Sequence, residues 1–214
     1  MIGIDPGLTR AGYALLGAAN NGVDRRFGSL LDVGVSVTNK DSPQEVRLLK
    51  HWEFFEGLFE KYAERYRSIH VAIERPFFTE HNPDTAFGTA QVSGLIMVLC
   101  AKFKINIHLY TPSQVKLAVT GSGASQKAQI ADAVQKILKL DSAPKPADAS
   151  DAVAIALTAR LTGDISGRMP PNTRVNSSEN SMKPLATPFT KAQEIWVNAQ
   201  KSSGEKGKRV ARKM

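Results

Sequence analysis

Residues 1–17, MIGIDPGLTRAGYALLG, hold two short apolar runs joined by a turn. The first run, residues 1–5, ends on Asp5 and is followed by Pro6-Gly7, a pair that marks a turn. The second, GYALLG at residues 12–17, reads as the next strand. Asn20-Asn21-Gly22 supply a hairpin turn, and residues 27–37, with mixed alternation, form a third strand. Three strands with short connections predict an antiparallel meander.

Downstream the pattern changes. Ser42-Pro43-Gln44-Glu45 has the form of a helix start, with Ser at the N-cap, Pro at the first helical position and an acid in the first turn. Val46, Leu49, Trp52, Phe55 or Phe59 and Tyr62 follow at helical spacing, so a long amphipathic helix runs to just before Ser68. Residues 69–74, IHVAIE, read as a buried strand. Residues 83–103 form a second helix and residues 106–110, NIHLY, a fifth strand. Thr111-Pro112 opens a short helix through Val119, residues 121–123 form a flexible Gly-containing loop, and Ser125 opens a helix through Leu138. After Pro144 and Pro146 a last helix covers residues 147–161. A meander followed by two strands reached through helical crossovers gives a mixed sheet with helices on its faces. The class is α/β: a ribonuclease H-like fold whose five-stranded mixed sheet combines the antiparallel meander with two parallel strands, flanked by helices.

The 214 residues include 28 Lys and Arg against 20 Asp and Glu, a formal charge of +8. A hydrophobic content of 42% over this length is enough for a sizeable core. The single cysteine, Cys100, excludes an internal disulfide framework and any zinc site that needs several thiolates; on an apolar helix it reads as a small buried hydrophobe. No apolar run reaches the roughly 18 residues of a membrane span, and the N-terminus lacks the regions of a signal peptide. A soluble, cytoplasmic chain with no membrane attachment is therefore expected. The basic balance suggests a polyanionic partner.

The charge is unevenly spread. Residues 1–162 carry 18 basic and 16 acidic groups, whereas residues 163–214 carry 10 basic and 4 acidic. The latter stretch is rich in Pro, Ser and Asn and can bury little apolar surface, so it reads as a disordered basic tail. One short amphipathic segment, residues 191–199 with Ile195 and Trp196, interrupts it. The expected organisation is a folded body at 1–162 and a tail at 163–214. Two readings of the tail stand: an arm that adds nonspecific DNA affinity or binds another partner, and a solvated end without a role.

Four carboxylates occupy unusual places. Asp5 and Glu74 each end an apolar strand beside a turn. Asp148 and Asp151 are three apart on the last helix, so they share a face. That helix is otherwise small and apolar, and should pack on the sheet. Any one of these acids alone is explained as a turn former or as a first-turn acid that complements a helix dipole. Together they would meet if the first and fourth strands are neighbours. Clustered carboxylates repel and need cations. An all-oxygen set points to magnesium or manganese, and two such ions about 3.5–4 Å apart suit in-line attack on a phosphodiester.

Four segments carry a resemblance. GIDPGLTRAGYAL, AIERPFF, TPSQVKLAVTGSGASQKAQI and PADASDAVAIAL, in this order and spacing, resemble the motifs of RuvC-type Holliday junction resolvases across residues 1–162. The resemblance implies that Asp5, Glu74, Asp148 and Asp151 are catalytic, metal-binding acids that hold two Mg2+ ions, with Mn2+ as a substitute. Some members have His where this chain has Asp148. It implies that Lys116 and Lys127 serve DNA binding and the cleavage site, and that Phe77 stacks on bases near an opened crossover, with Phe78 as its neighbour. Glu80-His81 stand where some relatives carry Arg. It further implies a homodimer through the 82–102 helix, with a branch-migration complex left open as a partner. The tail lies outside the resemblance.

Physically, Lys116 and Lys127 beside a Gly-containing loop could add charge stabilisation at an attacked phosphate, although most lysines are simply solvated. Phe77 and Phe78 follow Pro76 at the mouth of the proposed site. An exposed ring there could stack on an unpaired base for roughly 1–3 kcal/mol, while the other ring joins the core. The expected activity is magnesium-dependent resolution of four-way junctions by paired symmetric nicks, in DNA recombination and repair. A ribosomal RNA-trimming nuclease of similar fold fits the opening motif but not the Asp148/Asp151 pair or QVK. An actin-like phosphotransferase would need a second phosphate loop and about twice the length. A junction-binding protein without activity would have no need of four clustered acids.

Overall fold

The computed structural model describes residues 1–18, 24–76 and 83–163. The chain divides into two units, Met1–Pro171 and Asn172–Met214, and every described residue lies in the first. The turn expected at Asn20-Asn21-Gly22, the pair Phe77 and Phe78, His81 and nearly all of the tail lie outside the described residues.

Five strands, β1 (Ile2–Asp5), β2 (Arg10–Leu16), β3 (Leu30–Val37), β4 (His70–Glu74) and β5 (Asn106–Tyr110), form one sheet in the order β3-β2-β1-β4-β5. The first three strands pair antiparallel; β4 is parallel to both β1 and β5. This is the expected mixed sheet. The helices are α1 (Gln44–Arg65), α2 (Pro83–Lys102), α3 (Pro112–Thr120), α4 (Lys127–Leu138) and α5 (Ala147–Leu161).

Boundaries differ where tertiary partners decide them. β2 begins at Arg10 rather than Gly12, because Arg10 and Ala11 pair with Val37 and Ser36 of β3. β3 begins at Leu30 rather than Phe27, because a turn at residues 25–27 leads into Gly28, whose φ of +75° suits glycine. The N-cap of α1 is Pro43, not Ser42. Its ψ of 147° is still extended, and its carbonyl accepts the first helical bond from Arg47 N–H at 3.1 Å. Ser125 does not open α4. It is buried and its hydroxyl meets Thr120 Oγ1 at 2.6 Å, which ties α4 to the end of α3. Gln126 takes the cap position, its N–H donating to the Gln129 side chain at 2.8 Å.

The sheet separates two cores. On one side α1 and α2 cover Ile2, Ile4, Val71 and Ile73. All four are fully buried, and each such side chain contributes roughly 1.5–3 kcal/mol. On the other side lie α3, α4 and α5. The α5 backbone rests almost directly on β1 and β2. A Cβ at Gly3 would strike the Ala152 carbonyl, and one at Gly12 the Asp148 carbonyl. Two glycines and an alanine-rich helix thus bring the start of α5 against the carboxyl end of β1.

By length and composition α2 is apolar enough to cross a membrane, although polar residues interrupt its apolar stretches. Its Val92, Ile96, Leu99 and Cys100 are buried in the sheet–α1 core, as expected of a core helix. Burial pushes the Cys100 thiol up to about 12, in keeping with its reading as a small hydrophobe. His51, on α1, is structural too: its ring nitrogens meet Ser36 Oγ and the Leu8 carbonyl, both at 2.9 Å. On α5, Ser150 Oγ is buried and without a hydrogen-bond partner among the described residues. An unpaired buried hydroxyl is costly, so Ser150→Ala should raise the urea midpoint, by about 1 kcal/mol in stability.

Candidate active site

β1 and β4 are parallel neighbours with Ile4 opposite Ile73. Asp5 and Glu74, one residue further on, therefore sit side by side at the carboxyl ends of two central strands. The sequence brings an acid there because in each strand an apolar run leads directly to that residue and stops before a Pro-containing turn. α5 adds Asp151 from its second turn, and α3 and α4 contribute Lys116 and Lys127. Asp5, Glu74, Asp151, Lys116 and Lys127 line one cleft of about 270 Å³.

The electrostatics are those of an undercompensated acidic site. The Asp5 carboxyl is pushed up to about 7, first by burial and then by Asp151, Glu74 and Asp148, against a smaller pull from Lys127. Glu74 is raised by burial and by Asp151, and is partly relieved by Lys127 and Lys116. Lys127 Nζ donates to Asp151 Oδ2 at 3.2 Å, and that carboxylate is the main reason its ammonium is held above the usual range. Asp5 is thus the carboxyl on which the charge of the other three acids converges.

They do not all face the same space. Arg10 Nε donates to Asp148 Oδ2 at 2.6 Å, and Asp148 borders a neighbouring groove instead of the cleft. Among the described residues no three Asp, Glu, His or Cys side chains stand together at coordinating spacing. Asp151 and Asp148 are each paired with a cation of the protein itself. By donor chemistry the acids suit a hard divalent cation: the set is all oxygen, and the carboxylates around Asp5 outweigh the pull of Lys127. Arg10 is a site residue that the sequence reading missed. It stands two residues before Gly12, on the same face of β2, and only the seating of α5 over Gly12 brings Asp148 to it. Phe77 and Phe78 lie outside the described residues.

A meander with two added parallel strands, and acids from β1, β4 and α5 gathered at the strand ends, define a nuclease of the ribonuclease H-like class. Residues 1–159 match the family model for crossover junction endodeoxyribonuclease RuvC. A protein of that name from Streptomyces avermitilis is 43% identical over 157 residues, covering 73% of this chain and 84% of its own. One from Pseudarthrobacter chlorophenolicus is 36% identical over 201 residues, 94% of each chain, so that match extends beyond the body into the tail. The structure of Thermus thermophilus RuvC in complex with a Holliday junction substrate superposes with a TM-score of 0.66 at 29% identity, over 79% of this chain and 99% of that one. The chain belongs to the RuvC family of crossover junction endodeoxyribonucleases.

Proposed function

We propose that the protein is a structure-selective endonuclease that resolves four-way DNA junctions in the cytoplasm by two symmetric nicks, one per subunit of a homodimer. The observation that carries this reading is the convergence of Asp5, Glu74 and Asp151, from three separate elements, in one cleft with Lys116 and Lys127. Asp5, Glu74, Asp148 and Asp151 would hold the cations, two Mg2+ per site with Mn2+ as a substitute. When bound, such ions supply the Lewis acidity that activates water and stabilises the leaving 3′ oxygen. Loading the site requires Lys127 to release Asp151 and Arg10 to release Asp148. Both pairs are partly exposed, so each is weak enough to exchange. Lys116 and Lys127 draw the phosphodiester toward the acids, and Lys127, once released, faces the attacked phosphate. Phe77 and Phe78 stack on bases freed at the crossover. The test is cleavage of a synthetic four-way junction with and without magnesium, with both nicks mapped and linear duplex and RNA duplex as comparison substrates. Cleavage of all three substrates alike would exclude junction selectivity.

Two-fold pairing suits a junction of approximate two-fold symmetry. Exposed apolar residues of α2 support it: Val98 is 56% exposed with Met97 beside it, and Phe87, 57% exposed, lies three turns earlier. Exposed apolar side chains grouped in this way mark an interaction face. Val98→Glu should convert the dimer to monomer in analytical ultracentrifugation and replace paired nicks with single ones. A dimer that persists would place the interface elsewhere. The junction-bound dimer is also the form we propose that a branch-migration complex would meet.

We also propose that residues 1–162 are the nuclease body and that 163–214 is a basic arm. Removing the arm should weaken junction binding and flatten its salt dependence. An unchanged salt slope would leave the arm without a DNA role.

A further inference from the structure

Beside the acidic cleft lies a second groove, of about 540 Å³, between the β1–β2 turn and the first turns of α1 and α2. Its charged lining is Arg10, Arg47, Asp84 and Asp148, and threonine hydroxyls add further donors. The guanidinium of Arg47 is held by hydroxyls alone: Nη2 donates to Thr9 Oγ1 at 2.6 Å and Nε to Thr38 Oγ1 at 3.2 Å. Among the described residues it has no carboxylate partner. Two of its five donors are thereby used, which leaves an oriented cation in a polar groove. Arg10 points into the same groove and is neutralised there by Asp148 at 2.6 Å. The groove as it stands carries two positive and two negative groups.

We infer that this groove is a second backbone-phosphate site for the cleaved strand, and that Arg10 enters it by exchanging Asp148 for a phosphate. The inference rests on the nuclease reading above. Asp148 is the residue common to both sites: its charge acts on Asp5 in the cleft while its side chain borders the groove. When a divalent cation takes Asp148, the groove is left with Arg10 and Arg47 against Asp84 alone. It becomes positive at the moment the cleft becomes able to cut. The guanidinium fork that matches a carboxylate also matches a phosphate. The ion pair to be broken is part-exposed, with side chains 40% and 30% accessible, and such pairs exchange readily. Asp148 is the link between the two sites, so the phosphate in the groove is placed on the strand whose scissile phosphate occupies the cleft. Arg10 is thus a positioning residue for Asp148 before loading and a DNA-binding residue after it.

The experiment measures junction affinity of the full-length protein against NaCl concentration, in EDTA and in Ca2+. Removing one cation–phosphate interaction lowers the salt slope by about 1. Arg10→Gln should match the wild-type slope in EDTA and fall short of it by about 1 per subunit in Ca2+. Arg47→Gln, whose guanidinium needs no release, should fall short in both. Arg10→Lys, which keeps the charge, should restore most of the Ca2+ slope and so separates removal of a phosphate interaction from misfolding. An Arg10→Gln slope equal to wild type in Ca2+, or reduced equally in both conditions, overturns the exchange. An Arg47→Gln slope equal to wild type in both overturns the groove as a phosphate site. Failure of the wild-type protein to prefer a junction over linear duplex would instead count against the nuclease reading itself.

Discussion

Asp5→Asn should bind a four-way junction about as tightly as the wild-type protein and leave it uncut in magnesium, with cleavage reduced by roughly 10³-fold or more. Burial is the largest influence on Asp5, which also feels the charge of the other three acids. Asparagine keeps its shape and one carbonyl oxygen but removes the charge a hard cation needs. Loss of activity through unfolding can be told apart by pH. Burial and neighbouring carboxylates raise the Asp5 carboxyl from 3.8 to about 7. A raised carboxyl favours the folded state while it is protonated. Its contribution is fully present below the unfolded value and is lost as pH rises through about 7. Above that pH the ionised cluster works against folding when no cation is bound. At pH 8 in EDTA, Asp5→Asn should therefore be more stable than wild type, by at most about 4 kcal/mol at roughly 1.4 kcal/mol per pH unit, and the difference should vanish near pH 4. Thermal melting with and without magnesium checks this. Magnesium should stabilise the wild-type protein and have little effect on the variant. A cleaving Asp5→Asn protein would remove Asp5 from the centre of the reaction.

Gly3→Val should destabilise the protein by about 3 kcal/mol or more, at or above the upper end of ordinary overpacking. Gly3 lies in the middle of β1, paired on both sides. A Cβ there would overlap the Ala152 carbonyl and reach the Ala156 amide and methyl. Backbone atoms of a packed helix cannot step aside as a flexible side chain can. α5 would have to lift from the sheet, carrying Asp148 and Asp151 away from Asp5 and Glu74. The variant should lose stability in urea denaturation and lose cleavage even at temperatures where it remains folded. Gly57 provides the comparison. It lies in α1 with nothing within 4 Å of an added Cβ, so Gly57→Ala should gain up to about 1 kcal/mol from helix propensity. Equal effects at the two positions would mean that α5 does not depend on close approach at Gly3.

The sheet and the acids were legible for related reasons. A strand whose apolar run ends on an acid before a turn has few explanations, and Asp5 and Glu74 both have that form. The two prolines before α5, its small apolar residues and its pair of acids three apart marked a helix that packs on the sheet. The element order then restricted the topology to a meander with parallel additions. Helix starts were less legible. Ser42 and Ser125 both look like caps, but local pattern does not reveal that Pro43 is still extended or that Ser125 is drawn into a bond with Thr120.

By itself, then, the sequence determined the class of fold and the order of its elements and singled out four acids, because each of these is written in local periodicity and in where a strand or helix ends. Only the tertiary structure decided how those acids are paired. Lys127 faces Asp151 across 24 positions, and Arg10 faces Asp148 across 138. Such partnerships arise when α5 settles on Gly3 and Gly12 and brings distant side chains within a few ångströms. Coulomb forces between charged groups act over that distance in space, whatever their separation along the chain.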